Sequence, residues 1–208
     1  MTVASLTLDA GSNTRSDTKH SGATRAFHAA LAATIIIQLA TSQVMPGPDE
    51  AAGAWIFQLH QYSGLAAASL AFAFWLTIVL RRDGTSFWTM VPWFSARRLK
   101  ALFADIRVHL GAMVRLRVPP SEHDSALASA VHGLGLLLMT VMAGTGLAYY
   151  VIVGLGLHSP EPDDMLVMQV HFLFANLVWV YLIAHAGLAL LHQLLGHPTL
   201  GRMWSVKC

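Results

Sequence analysis

Four stretches of the chain contain no Asp, Glu, Lys or Arg at all: residues 26–48, 51–80, 125–160 and 165–201. Charged residues make up only 12% of the composition against 55% hydrophobic, with a mean hydropathy of +0.54. That balance excludes an ordinary soluble domain. Each stretch exceeds the roughly 20 residues that cross a bilayer as a helix. None shows the apolar–polar alternation of the roughly ten-residue strands in a membrane barrel, so closed β-structure is excluded as well. Cysteine is nearly absent too: Cys208 stands alone. A disulfide framework within the chain is ruled out, as is a Cys-x-x-Cys-His motif for covalent attachment of a cofactor.

The charges that are present lie on one side. With four spans, the N-terminal segment, the 81–124 connection and the C-terminal tail share a side, and all 13 Lys and Arg fall there. The positive-inside rule then makes both termini cytoplasmic, in a multi-pass membrane protein. The two opposite loops hold Asp49, Glu50, Glu161, Asp163 and Asp164 and no basic residue. A net charge of +2 therefore hides a dipolar molecule, and nucleic acid is not needed to explain the basic balance. Residues 1–24 are polar and mixed in charge, unlike the compact start of a secretory signal. They are predicted to form a disordered cytoplasmic arm, with the first span retained.

The expected fold is all-α: a four-helix transmembrane bundle over residues 25–205, with spans at about 26–45, 54–80, 126–153 and 165–195. Ala66, Ala67, Ala68, Gly133, Gly135, Gly144 and Gly146 are the small residues that let such helices approach. In the long inner connection, "SARRLKALFADIRVHLGAMVRLR" sets Leu99, Leu102, Phe103, Ile106, Leu110 and Met113 at three- and four-residue spacing among basic residues. That spacing predicts an amphipathic helix at about 95–117, lying on the cytoplasmic membrane surface with Trp88 and Trp93 at the interface. It ends by Pro119 and Pro120.

Histidine is the polar residue this chain does place inside its spans. His171 and His185 lie 14 residues apart in the fourth, which leaves them about 40° from alignment and about 21 Å apart along one helix. They share a face at two depths. The first span starts inside and carries His28; the second starts outside and carries His60, 21 residues before Arg81. Antiparallel helices therefore pair His28 with His185 near the inner face and His60 with His171 near the outer face. Imidazoles are costly in a membrane and mark sites when several share a depth. Zinc takes four ligands or three with an open position, and neither layer has an acid or cysteine beside its pair. Haem iron needs only two axial ligands, and a flat apolar macrocycle suits a gap between helices. The pattern points to two noncovalent bis-histidine b haems, stacked across the bilayer. His158, a loop residue, competes for the outer layer; His132 and His192 compete for the inner one.

These residues resemble the bacterial cytochrome b561 family, which includes the cytochrome b subunits of nickel-iron hydrogenases. The similarity covers roughly residues 22–205 and is clearest in "HFLFANLVWVYLIAH", like the family's two ligands 14 apart on the fourth helix. "HQYSG" resembles the second-helix ligand followed four residues later by glycine, here His60 and Gly64, where a flat cofactor can come close. "RAFH" resembles the first-helix pattern, and implies that Arg25 neutralises a haem propionate beside His28. "GTGLAYY" resembles a glycine-rich third helix. Where the family often has Trp after the first-helix histidine, this chain has Ala29. The resemblance implies four helices, two haems b and electron exchange with membrane quinone, and it selects His28 and His185 over His132 and His192.

The function expected is a transmembrane di-haem cytochrome passing electrons between a periplasmic redox protein, or an oxidoreductase subunit, and quinone in a respiratory chain. A stand-alone superoxide:quinone oxidoreductase is the alternative within the same family. The acidic outer loops suit a positively charged protein better than a small anion. A histidine-relay ion or proton transporter is an alternative of another class; it calls for acids or broken helices within the spans, and this chain has neither. A purely structural assembly subunit would carry no redox centre. A homo-oligomer is compatible with the sequence.

Overall fold

A computed structural model describes residues 22–45, 55–80, 87–115, 125–157 and 162–196, with positions 200 and 204. The predicted N-terminal arm up to residue 21, residues 46–54 and 158–161 of the two acidic loops, including His158, and the prolines at 119–120 lie outside the described residues. Four long helices form the body: α1 (Gly22–Ser42), α2 (Trp55–Leu80), α5 (Ala126–Gly154) and α6 (Leu166–Leu194). Between α2 and α5 come a single turn, α3 (Phe87–Met90), a 3₁₀ turn at Pro92–Phe94 and α4 (Ala96–Val114). The four long helices are each apolar and long enough to span a membrane. The surface helix ends at Val114, short of the predicted 117, and α1 starts at Gly22, ahead of the predicted 26. Helical backbone continues past the apolar window, because the boundary of a helix and the boundary of its membrane segment are separate things.

Backbone packing runs α1 on α2, α2 on α5 and α5 on α6, with α3 and α4 against α5. Helices α1 and α6 meet through side chains: Leu39, Leu138 and Val178 form a buried cluster, flanked by Ile35 and Phe174. A second cluster joins Ile78 of α2, Met90 and Val91 at the end of α3, and Leu136 of α5. Large apolar side chains elsewhere point outward; Phe72 is 71% exposed and Ile183 68%. A soluble protein would bury these, whereas a bilayer solvates them.

Helix ends follow local chemistry. Ser125 caps α5, its Oγ accepting from the amide of Ala128 at 3.1 Å. At the far end Gly156 takes φ +62°, the amide of Leu157 reaches the carbonyl of Ile152 at 3.2 Å, and the amide of Gly156 reaches that of Val153 at 3.0 Å. This left-handed cap satisfies carbonyls that a bilayer edge would leave unpaired. Gly196, at φ +86°, sits at the matching position after α6.

The apolar stripe predicted for α4 divides. Leu102 is buried, while Phe103 and Leu110 are exposed. Asp105, on the same helix, accepts from Ser125 Oγ at 3.0 Å and from the amide of Leu127 at 3.1 Å, tying α4 to the first turn of α5. Trp88 and Trp93 are both exposed, as interfacial aromatics would be.

Candidate functional site

The inner end of the bundle gathers aromatic rings around His185. His28 of α1 lies 6.4 Å from it between ring centroids, tilted by 52°. His132 of α5 lies 5.4 Å away, edge-on at 86°. Tyr181, one turn earlier on α6, stacks on His185 at 5.3 Å and 10°. Trp204 meets the edge of His28 at 6.0 Å. The predicted inner pair is thus brought together, with its rival His132 also present.

Geometry separates the two candidates. Metal–imidazole bonds of about 2 Å on opposite sides of one metal put the two ring centres about 6 Å apart. His28 and His185, at 6.4 Å, match that spacing, whereas His132, at 5.4 Å, lies closer to His185. His132 is exposed, and its Nδ1 bonds the carbonyl of Ala128 at 2.6 Å. His192 is buried, 7% exposed, in the last turn of α6.

At the outer end His60 and His171 line one cavity of about 360 Å³, together with Leu31, Ile35, Gly64, Met142 and Val178. That volume falls within the range of small-molecule and cofactor sites. Both imidazoles are half-buried. His60 Nδ1 is 2.9 Å from Thr41 Oγ1 of α1, and His171 Nδ1 is 2.8 Å from Thr145 Oγ1 of α5. A Cβ at Gly146 would lie 3.4 Å from His171 Cε1, in ordinary van der Waals contact with the second ring. A Cβ at Gly64 would meet the amide of Gln38 at 3.3 Å. The Gln38 amide donates to the carbonyl of His60 and, at 2.7 Å, to Ser63 Oγ.

The two layers agree along the shared helices. On α1, His28 and Thr41 are 13 positions apart, about 20 Å in helical rise. His185 and His171 are 14 apart on α6, or about 21 Å. Between them sits the apolar cluster of Leu39, Leu138 and Val178. Among the described residues no group of three or more His, Cys, Asp or Glu could hold a bare metal ion. A pair of imidazoles at each depth suits a cofactor that brings the remaining ligands itself.

The sequence reading missed Gln38, Thr41, Thr145, Tyr181 and Trp204. Thr145 lies inside the "GTGLAYY" stretch, between the two glycines that drew notice.

Four helices of membrane-spanning length, with two histidines in ring contact at one end and two more lining a single cavity at the other, suit a membrane cytochrome. The model of the prokaryotic cytochrome b561 family matches residues 19–206, and the chain belongs to that family. Its members are membrane-embedded cytochromes that bind haem b and transfer electrons. No curated protein and no solved structure gave a significant match.

Proposed function

We propose that the chain is a di-haem electron conduit across the inner membrane, with His60 and His171 holding an outer haem and His28 and His185 an inner one. The observation that carries this reading is the double use of α6. Its two histidines, 14 residues apart, each share a layer with a histidine of a different helix. When bound, haem b supplies a one-electron iron couple within a low-dielectric interior.

The chain's own residues then have defined tasks. The four imidazoles would hold the two haem irons. Tyr181 and Trp204 pack the inner rings in place, and Thr41 and Thr145 hold the outer ones. Leu39, Leu138 and Val178 keep water out of the space between the layers. Arg25 stands one turn before His28, where its guanidinium would neutralise a propionate. The partners proposed are membrane quinone and a periplasmic redox protein or oxidoreductase subunit, recognised through the acidic outer loops.

Purified from a haem-replete host, the protein is expected to show a reduced b-type spectrum with two haems per chain and to be reoxidised by a water-soluble quinone. A haem-free preparation overturns the reading. The rival arrangement has its own outcome, because His132 also lies beside His185. Retention of both haems in His28→Ala, with loss of one in His132→Ala, would move the inner ligand to α5.

A further inference from the structure

The two outer histidines are held in the same way by different helices. Thr41 Oγ1 on α1 meets His60 Nδ1 at 2.9 Å, and Thr145 Oγ1 on α5 meets His171 Nδ1 at 2.8 Å. Each hydroxyl also bonds a carbonyl of its own helix, Thr41 to Ile37 at 2.7 Å and Thr145 to Val141 at 2.8 Å. A hydroxyl has a single proton to give, and a carbonyl can only accept. With that proton committed to the carbonyl one turn back, only lone pairs remain for the imidazole. In that arrangement the ring is the donor and Nδ1 carries the hydrogen, with the backbone carbonyls of Gln38 and Met142 also within reach of His60 and His171. Nε2 is left with its lone pair, the form that binds a metal.

From this geometry we infer that Thr41 and Thr145 are positioning residues for the outer haem: they fix His60 and His171 as Nδ1–H tautomers and strengthen Nε2 as an iron ligand by accepting that hydrogen bond. The inference rests on the outer pair proposed above and adds what sets its electronic character. An accepted Nδ1–H bond pushes electron density toward Nε2 and raises the basicity of the ligand. A stronger donor favours the more highly charged, oxidised iron. Removing the acceptor should then raise the reduction potential of this one haem. His28 and His185 lie in the other layer, among the rings of Trp204, Tyr181 and His132 and away from Thr41 and Thr145, so the inner haem should not respond to these substitutions.

The test is a spectroelectrochemical titration of the full-length protein in detergent, with haem content measured beside it. Thr41→Val and Thr145→Val remove the hydroxyl at nearly constant shape. Two haems per chain are expected in both, with one potential shifted upward and the other unchanged, a larger shift in the double variant, and wild-type values in Thr41→Ser and Thr145→Ser. The potential that moves should be the one abolished in His171→Ala. Two unchanged potentials in the double valine variant overturn the inference. Should the valine variants lose the haem instead, the serine variants decide: wild-type content and potential with serine support the hydroxyl, whereas loss with serine too assigns the role to the methyl group and overturns it. A wild-type protein without two haems would refute the underlying di-haem reading, a result distinct from any of these.

Discussion

Gly133 and Gly135 are two residues apart on α5 and serve opposite neighbours. A Cβ at Gly133 would run into the backbone carbonyl of Met90, and one at Gly135 into the hydroxyl and ring of Tyr181. The first obstacle is main chain and cannot swing aside. Gly133→Ala is therefore expected to destabilise the detergent-solubilised protein by roughly 1–3 kcal/mol, the usual cost of overpacking, seen as an earlier thermal transition. Gly135→Ala should displace Tyr181 and, through its stack on His185, perturb the inner haem spectrum while sparing the outer one. Gly144 has nothing within 4 Å of an added Cβ, so Gly144→Ala should show no loss and serves as the control. From the sequence Gly133 and Gly135 were legible as places of close approach, whereas Gly144, read the same way, has nothing within 4 Å of an added Cβ. Which neighbour each admits was not, since a missing side chain carries no pattern. Thr41 and Thr145 were hidden for a different reason: a hydroxyl that bonds its own helix looks like any tolerated threonine in a span.

At the scale of elements, charge-free windows gave the four spans to within a few residues, because a bilayer leaves helix length little freedom. The surface helix was legible from its periodicity, but its anchoring was not. Asp105 is a charge within an amphipathic pattern, and only the fold reveals that it caps the start of α5 while bridging from α4. Asp105→Ala should cost about 1 kcal/mol, the typical value of a lost cap, and should speed hydrogen exchange over Ala96–Val114. Across the membrane interior, Trp75 Nε1 of α2 donates to Thr140 Oγ1 of α5 at 2.8 Å. Trp75→Phe should lose about 0.6 kcal/mol, the mean for such bonds between membrane helices, measured by unfolding in mixed micelles. The bond joins residues 65 apart in sequence, and no local rule would have matched them.

For the whole molecule, the proposed function depends on two layers held at fixed depths along the same helices. Depth was legible, since helical rise converts residue number into distance and the charge asymmetry supplies a direction. Lateral choice was less so: His132 shares the inner depth with His28, and helix spacing alone does not say which faces His185. The ring separations of 6.4 and 5.4 Å favour His28. The one-sided distribution of all 13 basic residues supports the proposed orientation with both termini in the cytoplasm. Reporter fusions should give cytoplasmic signals at either end and a periplasmic signal within residues 46–54.

Pairwise haem loss tests the central claim most directly. Pyridine-haemochrome quantitation, combined with redox titration of four single alanine variants, should show two haems in the parent protein. The same haem should vanish in His60→Ala and His171→Ala, and the other in His28→Ala and His185→Ala. A parent protein with fewer than two haems, or losses that pair the histidines in any other way, would contradict the account.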